Sequence, residues 1–188
     1  MATPSQDAML RKLAVALVEQ PRATLQELAR MAGVSKATLY RFCSTREEIR
    51  SRIFDYALQV YRAITDECLN STAPTLDVLA KMIAMNIEER EFTSFAWFYW
   101  SELHHSVDER LASWDEWQQQ MDTFFLRGQR EGVIRLDVPT SAFSDFFCYG
   151  LAALIDAERR GRLARQSLQD TAMKLLLGAI SEPSNRAE

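Results

Sequence analysis

The sequence predicts an all-α protein: an N-terminal three-helix head built on a helix-turn-helix, joined by a long helix to a C-terminal helical body, about nine helices in all. Three observations carry this. Apolar residues recur at spacings of three and four along most of the chain. Turn formers are scarce, with 6 Gly and 5 Pro in 188 residues. The Thr24-x-x-Glu27 and Thr45-x-x-Glu48 pairs are capping boxes, each opening a helix. With 47% hydrophobic and 10% aromatic residues, the chain can fill a core and is not of disordered composition.

The first helix spans about Ser5–Glu19, with Met9 or Leu10, Leu13, Ala14, Leu17 and Val18 on one face, and Pro21 ends it. The second starts at the Thr24 box and buries Leu25, Leu28, Ala29 and Ala32. It stops at Gly33, a residue that tolerates the left-handed backbone of such a stop. Ser35 caps the third, Lys36-Ala37-Thr38-Leu39-Tyr40-Arg41, in which only Leu39 is clearly apolar. That helix therefore buries little and presents a polar face. Two short helices around a tight turn, the second facing outward, are the shape that docks into a DNA major groove. Lys and Arg neutralise phosphates there, and Ser, Thr and Tyr hydroxyls reach phosphates or base edges.

The run ATLQELARMAGVSKATLYRFCSTREEI resembles the DNA-binding domain of TetR-family bacterial transcriptional regulators. The resemblance covers about the first fifty-five residues: the apolar first helix, the small-Gly-Val turn, the Ser-Lys-Ala-Thr-Leu-Tyr helix, and Arg46 opening the fourth helix. It implies DNA contacts by Thr24, Ser35, Lys36, Ala37, Thr38, Tyr40, Arg41 and Arg46. The family carries His or Tyr followed by Phe after the Leu-Tyr-x run, whereas Phe42-Cys43 stand here. The resemblance also implies a division into a DNA-binding domain, 1–48, and an effector-binding and dimerisation domain, 49–188.

Net charge is −4, yet unevenly placed: residues 1–50 hold eight Lys and Arg against five Asp and Glu, and the remainder fourteen against twenty-one. A basic end on an acidic body orients a protein on DNA. Cys43, Cys68 and Cys148 are far apart and follow no metal or C-x-x-C pattern, which suits reduced thiols and a cytoplasmic protein. Neither a signal sequence nor a membrane-spanning stretch is expected.

The fourth helix runs from about Thr45 to Asn70, the fifth from Thr75 to Glu89, and the sixth from Phe92 to His105. The seventh, capped by Ser106 and Glu109, extends to about Glu131, where Gly132 closes it. The eighth runs from Pro139 to about Arg160 and the ninth from Ala164 to Ile180, ahead of a loose tail. All four tryptophans lie on the sixth and seventh helices, and methionines gather nearby. Flat aromatics and soft methionines suit an adaptable pocket, and the resemblance places an effector pocket among the middle helices. The expected effector is small and apolar or aromatic, met by Met85, Asn86, Trp97, Trp100, His104, Trp117, Met121, Phe124 and Phe147. The last two helices, with Phe143, Phe146, Phe147, Leu151, Leu154 and Ile155 on one and Leu168, Ala172, Leu175, Leu176 and Ile180 on the other, are expected to form a homodimer interface.

The resemblance implies a dimeric regulator that holds a palindromic operator in double-stranded DNA and is released by its effector, most simply a repressor. No cofactor or metal is called for. Two alternatives were weighed: a thiol sensor acting through Cys43 beside the recognition helix, and a helical-bundle enzyme with an aromatic cavity. The second lacks G-x-S-x-G, a phosphate-binding glycine loop and H-E-x-x-H.

Overall fold

The computed structural model describes residues 4–103 and 110–182, with side chains for 6–99 and 114–182. Nine helices occupy the described residues: α1 Pro4–Glu19, α2 Leu25–Ala32, α3 Lys36–Phe42, α4 Arg46–Leu69, α5 Thr75–Glu88, α6 Arg90–Leu103, α7 Arg110–Arg130, α8 Thr140–Arg159 and α9 Arg165–Ile180. They divide into two compact units, Met1–Val60 with Glu89–Ser101, and Tyr61–Glu88 with Glu102–Glu188.

The first unit is the helix-turn-helix set against α1, the start of α4 and most of α6. Leu13 and Leu17 of α1, Leu28 and Ala29 of α2, Leu39 of α3 and Ile49 and Ile53 of α4 are buried together with Phe92, Phe95 and Tyr99 of α6. Tyr56 tilts against Phe92 with ring centroids 4.9 Å apart, and Tyr99 donates its hydroxyl proton to the Leu17 carbonyl at 3.3 Å. Arg11 ties α1 to the start of α6. Its Nε donates to Asp7 Oδ2 at 2.8 Å, its Nη2 to Glu89 Oε1 at 2.9 Å, and its Nη1 lies 3.5 Å from Glu91 Oε2. Tyr56 completes the cluster by donating to Asp7 Oδ1 at 2.6 Å.

The second unit is α5, α7, α8 and α9 with the end of α4. Phe125 of α7 is fully buried, its ring 5.7 Å from Phe143 and 6.4 Å from Phe147 of α8. Residues 131–138 fold back onto the end of α9: Arg135 N–H donates to the Ile180 carbonyl and Glu182 N–H to the Val133 carbonyl. This brings Ile134 over Gly128, where an added Cβ would lie 2.7 Å from Ile134 Cγ1 and 2.8 Å from Thr75 Cγ2. Gly128→Ala is therefore expected to overpack this corner and cost about 1–3 kcal/mol, readable as a lower urea midpoint with an unchanged m-value.

Three sequence expectations change at this level. The sixth helix begins at Arg90, and only Glu89 separates it from α5. The Glu89 carbonyl accepts from both Phe92 and Thr93 N–H, so the chain turns without a glycine or proline to announce it. At the start of α4, Glu48 N–H bonds Thr45 Oγ1 at 3.0 Å, but the Glu48 carboxylate reaches back to Ser44, one residue beyond Thr45, at 2.8 Å from its N–H and 3.0 Å from its Oγ. Ser44 competes because its N–H is also free at that helix start. Finally, Phe143, Phe147, Leu151, Ile155, Leu168, Ala172, Leu176 and Ile180 are buried within the chain itself. Of the apolar residues expected at a dimer interface, Phe146 and Leu175 remain exposed, joined by Tyr149. The Ser106–Glu109 cap and the tail lie outside the described residues.

Candidate nucleic-acid interface and ligand cleft

The first unit holds its outward helix by local chemistry. Thr24 Oγ1 accepts from Glu27 N–H at 3.3 Å while the Glu27 carboxylate takes the Thr24 N–H at 2.7 Å, closing the capping box. The backbone and hydroxyl bonds from Thr24 also hold the Glu27 carboxyl below its ordinary range. Gly33 takes φ +71°, in the left-handed region, so that its own N–H and that of Val34 return to the last carbonyls of α2. Ser35 then caps α3, its Oγ accepting from Thr38 N–H at 3.0 Å.

Leu39 is the sole buried residue of α3. Lys36, Ala37, Tyr40 and Arg41 are exposed and Thr38 is half-buried, its hydroxyl 2.8 Å from Ser35 Oγ. The Lys36 ammonium sits 5.4 Å from the centre of the Tyr40 ring, one helical turn away. That contact holds both side chains on one edge of the exposed face. Arg46 is half-buried in the first turn of α4, and its Nε is shielded and without an acceptor among the described residues. A guanidinium at the positive end of a helix suits a phosphate. The residues expected at DNA from the sequence thus lie between the α2 cap and the end of α3 and at the start of α4. Two have a prior duty: Thr24 and Ser35 spend their hydroxyls on caps.

The Phe42-Cys43 departure resolves into two roles. The Phe42 ring is half-buried under the Arg52 guanidinium, 4.9 Å away. Cys43 ends α3 fully buried, its N–H on the Leu39 carbonyl at 2.8 Å. Burial pushes the Cys43 thiol up to about 11, with nearby Arg52 only partly opposing it. A thiol that stays protonated and covered is a poor nucleophile, which counts against the thiol-sensor alternative.

Trp97 and Trp100 belong to the first unit, and Met85, Asn86, Trp117, Met121, Phe124 and Phe147 to the second. Within the second unit, the described residues expected to surround an effector have different surroundings. Met121 and Phe147 are core. Asn86 is buried and donates to the Met82 carbonyl, and the Met85 sulfur lies 3.8 Å from Cys68 Sγ. Trp117 stacks on Trp114 with centroids 4.7 Å apart and donates its Nε1 proton to Thr65 Oγ1 at 2.9 Å. The side chain of Trp100 and the whole of His104 lie outside the described residues. Only Phe124 of the set lines the open cleft of about 570 Å³ in the second unit. Its other walls are Asp66, Leu69, Asn70, Glu116, Gln119, Gln120, Thr123 and Arg127, so the cleft is more polar than the tryptophan-rich stretches suggest. The apolar stripe of α7 gives no sign of it, because its walls are polar residues of a kind that ordinarily faces water. Among the described residues no group of three His, Cys, Asp or Glu could hold a metal ion, and no helix is long and apolar enough to cross a membrane.

Comparison with known proteins places this architecture. No family model matches the chain. The HTH-type transcriptional regulator NfxB of Pseudomonas aeruginosa is 36% identical over 178 residues, covering 95% of each chain. The MbdR regulator of Azoarcus sp. CIB superposes with a TM-score of 0.73 at 17% identity, over 92% of this chain and 97% of its own. The TetR-like regulator LfrR of Mycobacterium smegmatis, solved in complex with proflavine, does so with a TM-score of 0.68 at 18% identity, over 92% and 93%. The two solved structures share the fold, and NfxB shares sequence across the head and body together. With a capped helix-turn-helix at its start and helical body behind it, the chain belongs to the TetR family of helix-turn-helix transcriptional regulators.

Proposed function

We propose that this regulator acts as a ligand-responsive repressor, a homodimer that occupies a palindromic operator and leaves it when a small molecule binds the second unit. The observation that carries the DNA-reading part is α3: one buried leucine and an exposed face of Lys36, Ala37, Tyr40 and Arg41. A single such helix reads few bases, whereas a two-fold pair reads half-sites about 34–36 Å apart. The exposed Phe146, Tyr149 and Leu175 of α8 and α9 supply an apolar face for that pairing. The complex of LfrR with proflavine supports ligand binding by such a fold. α4 is one continuous helix from Arg46, in the DNA-facing set, to Leu69 on the cleft wall, which makes it the natural lever. A ligand moves the equilibrium only by its preference for one arrangement over the other.

Selection from random duplex DNA with the full chain is expected to enrich a palindrome. Recovery of no motif would refute the operator reading. On the selected site, Lys36→Ala is expected to weaken binding uniformly across sequences and to lower the slope of log K against log salt by about 1. An unchanged slope would remove Lys36 from the phosphate contacts.

A further inference from the structure

A closed circuit of contacts joins the end of α3 to the first turns of α4. Ser44 donates from both its N–H and its Oγ to Glu48 Oε2, at 2.8 and 3.0 Å. Arg52 Nη2 donates to the other oxygen of that carboxylate, Oε1, at 2.9 Å. The Arg52 guanidinium then lies 4.9 Å from the centre of the Phe42 ring, and the backbone from Phe42 through Cys43 returns to Ser44. The bonds from Ser44 and Arg52 hold the Glu48 carboxyl below its ordinary range, which keeps the acid of the circuit ionised near neutrality.

An exposed ion pair one helical turn apart contributes little to stability by itself. The Arg52 and Glu48 side chains are 48% and 36% exposed, so stability is a weak reason for their pairing. What the circuit governs is the roll of α3. That helix has one core side chain, Leu39, and a helix held at one side chain is free to rotate about it. Phe42 is its second inward contact, and it is half-buried. Packing alone does not fix the Phe42 ring, because it borders an open hollow of about 270 Å³ shared with Leu10 of α1 and Arg52 and Tyr56 of α4. Arg52 is the contact that holds the ring in one place. At roughly 100° per residue, Ala37 and Arg41 stand opposite Leu39, while Lys36 and Tyr40 stand on one flank. A modest roll therefore changes which of these side chains points straight outward.

We propose that Arg52 is a positioning residue for DNA recognition: stacked on Phe42 and fixed through Glu48 by Ser44, it sets the roll of α3, and with it the side chains that meet the bases, without touching DNA itself. This rests on the proposed reading of α3 as the DNA-reading helix. A cation over an aromatic face at an exposed site shifts an equilibrium about two- to fivefold. Where α3 populates other rolls, apparent affinity falls by the fraction of heads in the competent one. Two heads on one operator compound the loss to about tenfold.

The test uses the full-length protein, with fluorescence anisotropy on the selected operator and on a random duplex. Phe42→Leu removes the aromatic face and leaves every charge in place. It is expected to bind the operator about tenfold more weakly and the random duplex as before, since charge sets the latter. Phe42→Tyr keeps the face and is expected to bind both as wild type does. Arg52→Met is expected to lose as much operator affinity as Phe42→Leu, with an unchanged slope of log K against log salt. In the double variant it is expected to add nothing further. A slope lowered by about 1 in Arg52→Met would make Arg52 a phosphate contact and overturn the positioning role. Wild-type operator affinity in either single variant, additive losses in the double variant, or equal losses on operator and random duplex would do the same. Circular dichroism checks that each variant is folded, and Arg52→Met, at an exposed position, decides if Phe42→Leu is not. A wild type that selects no palindrome overturns the operator reading and the positioning role with it. A wild type that selects one, with discrimination intact in Phe42→Leu, overturns the positioning role alone.

Discussion

Leu39→Ala is expected to abolish operator binding and to destabilise the first unit by about 2–5 kcal/mol, the cost of emptying a buried leucine site. The argument is one of count. α3 is seven residues long and keeps a single side chain in the core, fully buried among residues of the head. No isolated helix of that length holds its shape in water, so its docking depends on that one anchor. Ala at this position leaves the Ser35 cap and the helix propensity intact while removing the contact that fixes orientation. Chemical denaturation followed by circular dichroism reads the stability, and a gel shift on the selected operator reads the function. Leu39→Met, which conserves volume, is expected to cost less than about 1.5 kcal/mol and to retain binding. Full operator affinity in Leu39→Ala would show that α3 is positioned by something other than its core contact.

Arg11→Leu carries the second large effect. It leaves the Asp7, Glu89 and Glu91 carboxylates gathered around the site of a lost cation. Removing one partner of a deeply buried ion pair costs several kcal/mol. Here Arg11 is 28% exposed and the three acids 20–27%, so solvent screens part of the loss and about 1–3 kcal/mol is expected. The pH dependence is specific. Burial tends to raise the Asp7 carboxyl, but its bonds to Arg11 and Tyr56 outweigh that and hold it below its ordinary value. A carboxyl depressed in the folded state stabilises it above the unfolded value of about 3.9 and loses that contribution as pH falls through the folded value. The gap between wild type and Arg11→Leu should therefore be widest near neutrality and narrow below about pH 4. A gap independent of pH would mean that Arg11 acts through packing over Phe92, where its guanidinium lies 4.9 Å from the ring centre, rather than through the acids.

How much of this could be read from the chain alone depended on the range of the interaction. The Thr24 box, the Gly33 stop and the Ser35 cap are decided within four residues, and each stands where the sequence puts it. The Gly132 stop is of the same kind, with φ +73°. The Thr45 box shows the limit: Thr45 keeps the Glu48 N–H, but Ser44 takes the Glu48 carboxylate, and composition does not choose between two adjacent hydroxyl residues. Long-range pairings were less legible. Phe143 and Phe147 read as interface residues because an apolar stripe gives its direction but not its partner; Phe125 is that partner. The aromatic run of α6 likewise gave no partners from sequence, and Phe95 and Tyr99 serve the core of the first unit. The polar cleft was hidden most deeply. It is made from residues fifty positions apart, each of a type that ordinarily faces water.

The single-anchor construction of α3 also bears on how such a reading head diversifies. Substitutions at solvent-facing positions away from special features alter stability by about half a kcal/mol or less. Lys36, Ala37, Tyr40 and Arg41 are such positions, so new side chains can be tried there without unfolding the head. Changes at Leu39, Gly33 or Cys43 are not tolerated in this way, because each is fixed by burial or by backbone conformation. The chain therefore separates an alphabet that is free to drift from a frame that is not. On the proposed reading, lineages sharing this frame can acquire new operators through a few outward residues, one step at a time, with every intermediate still folded.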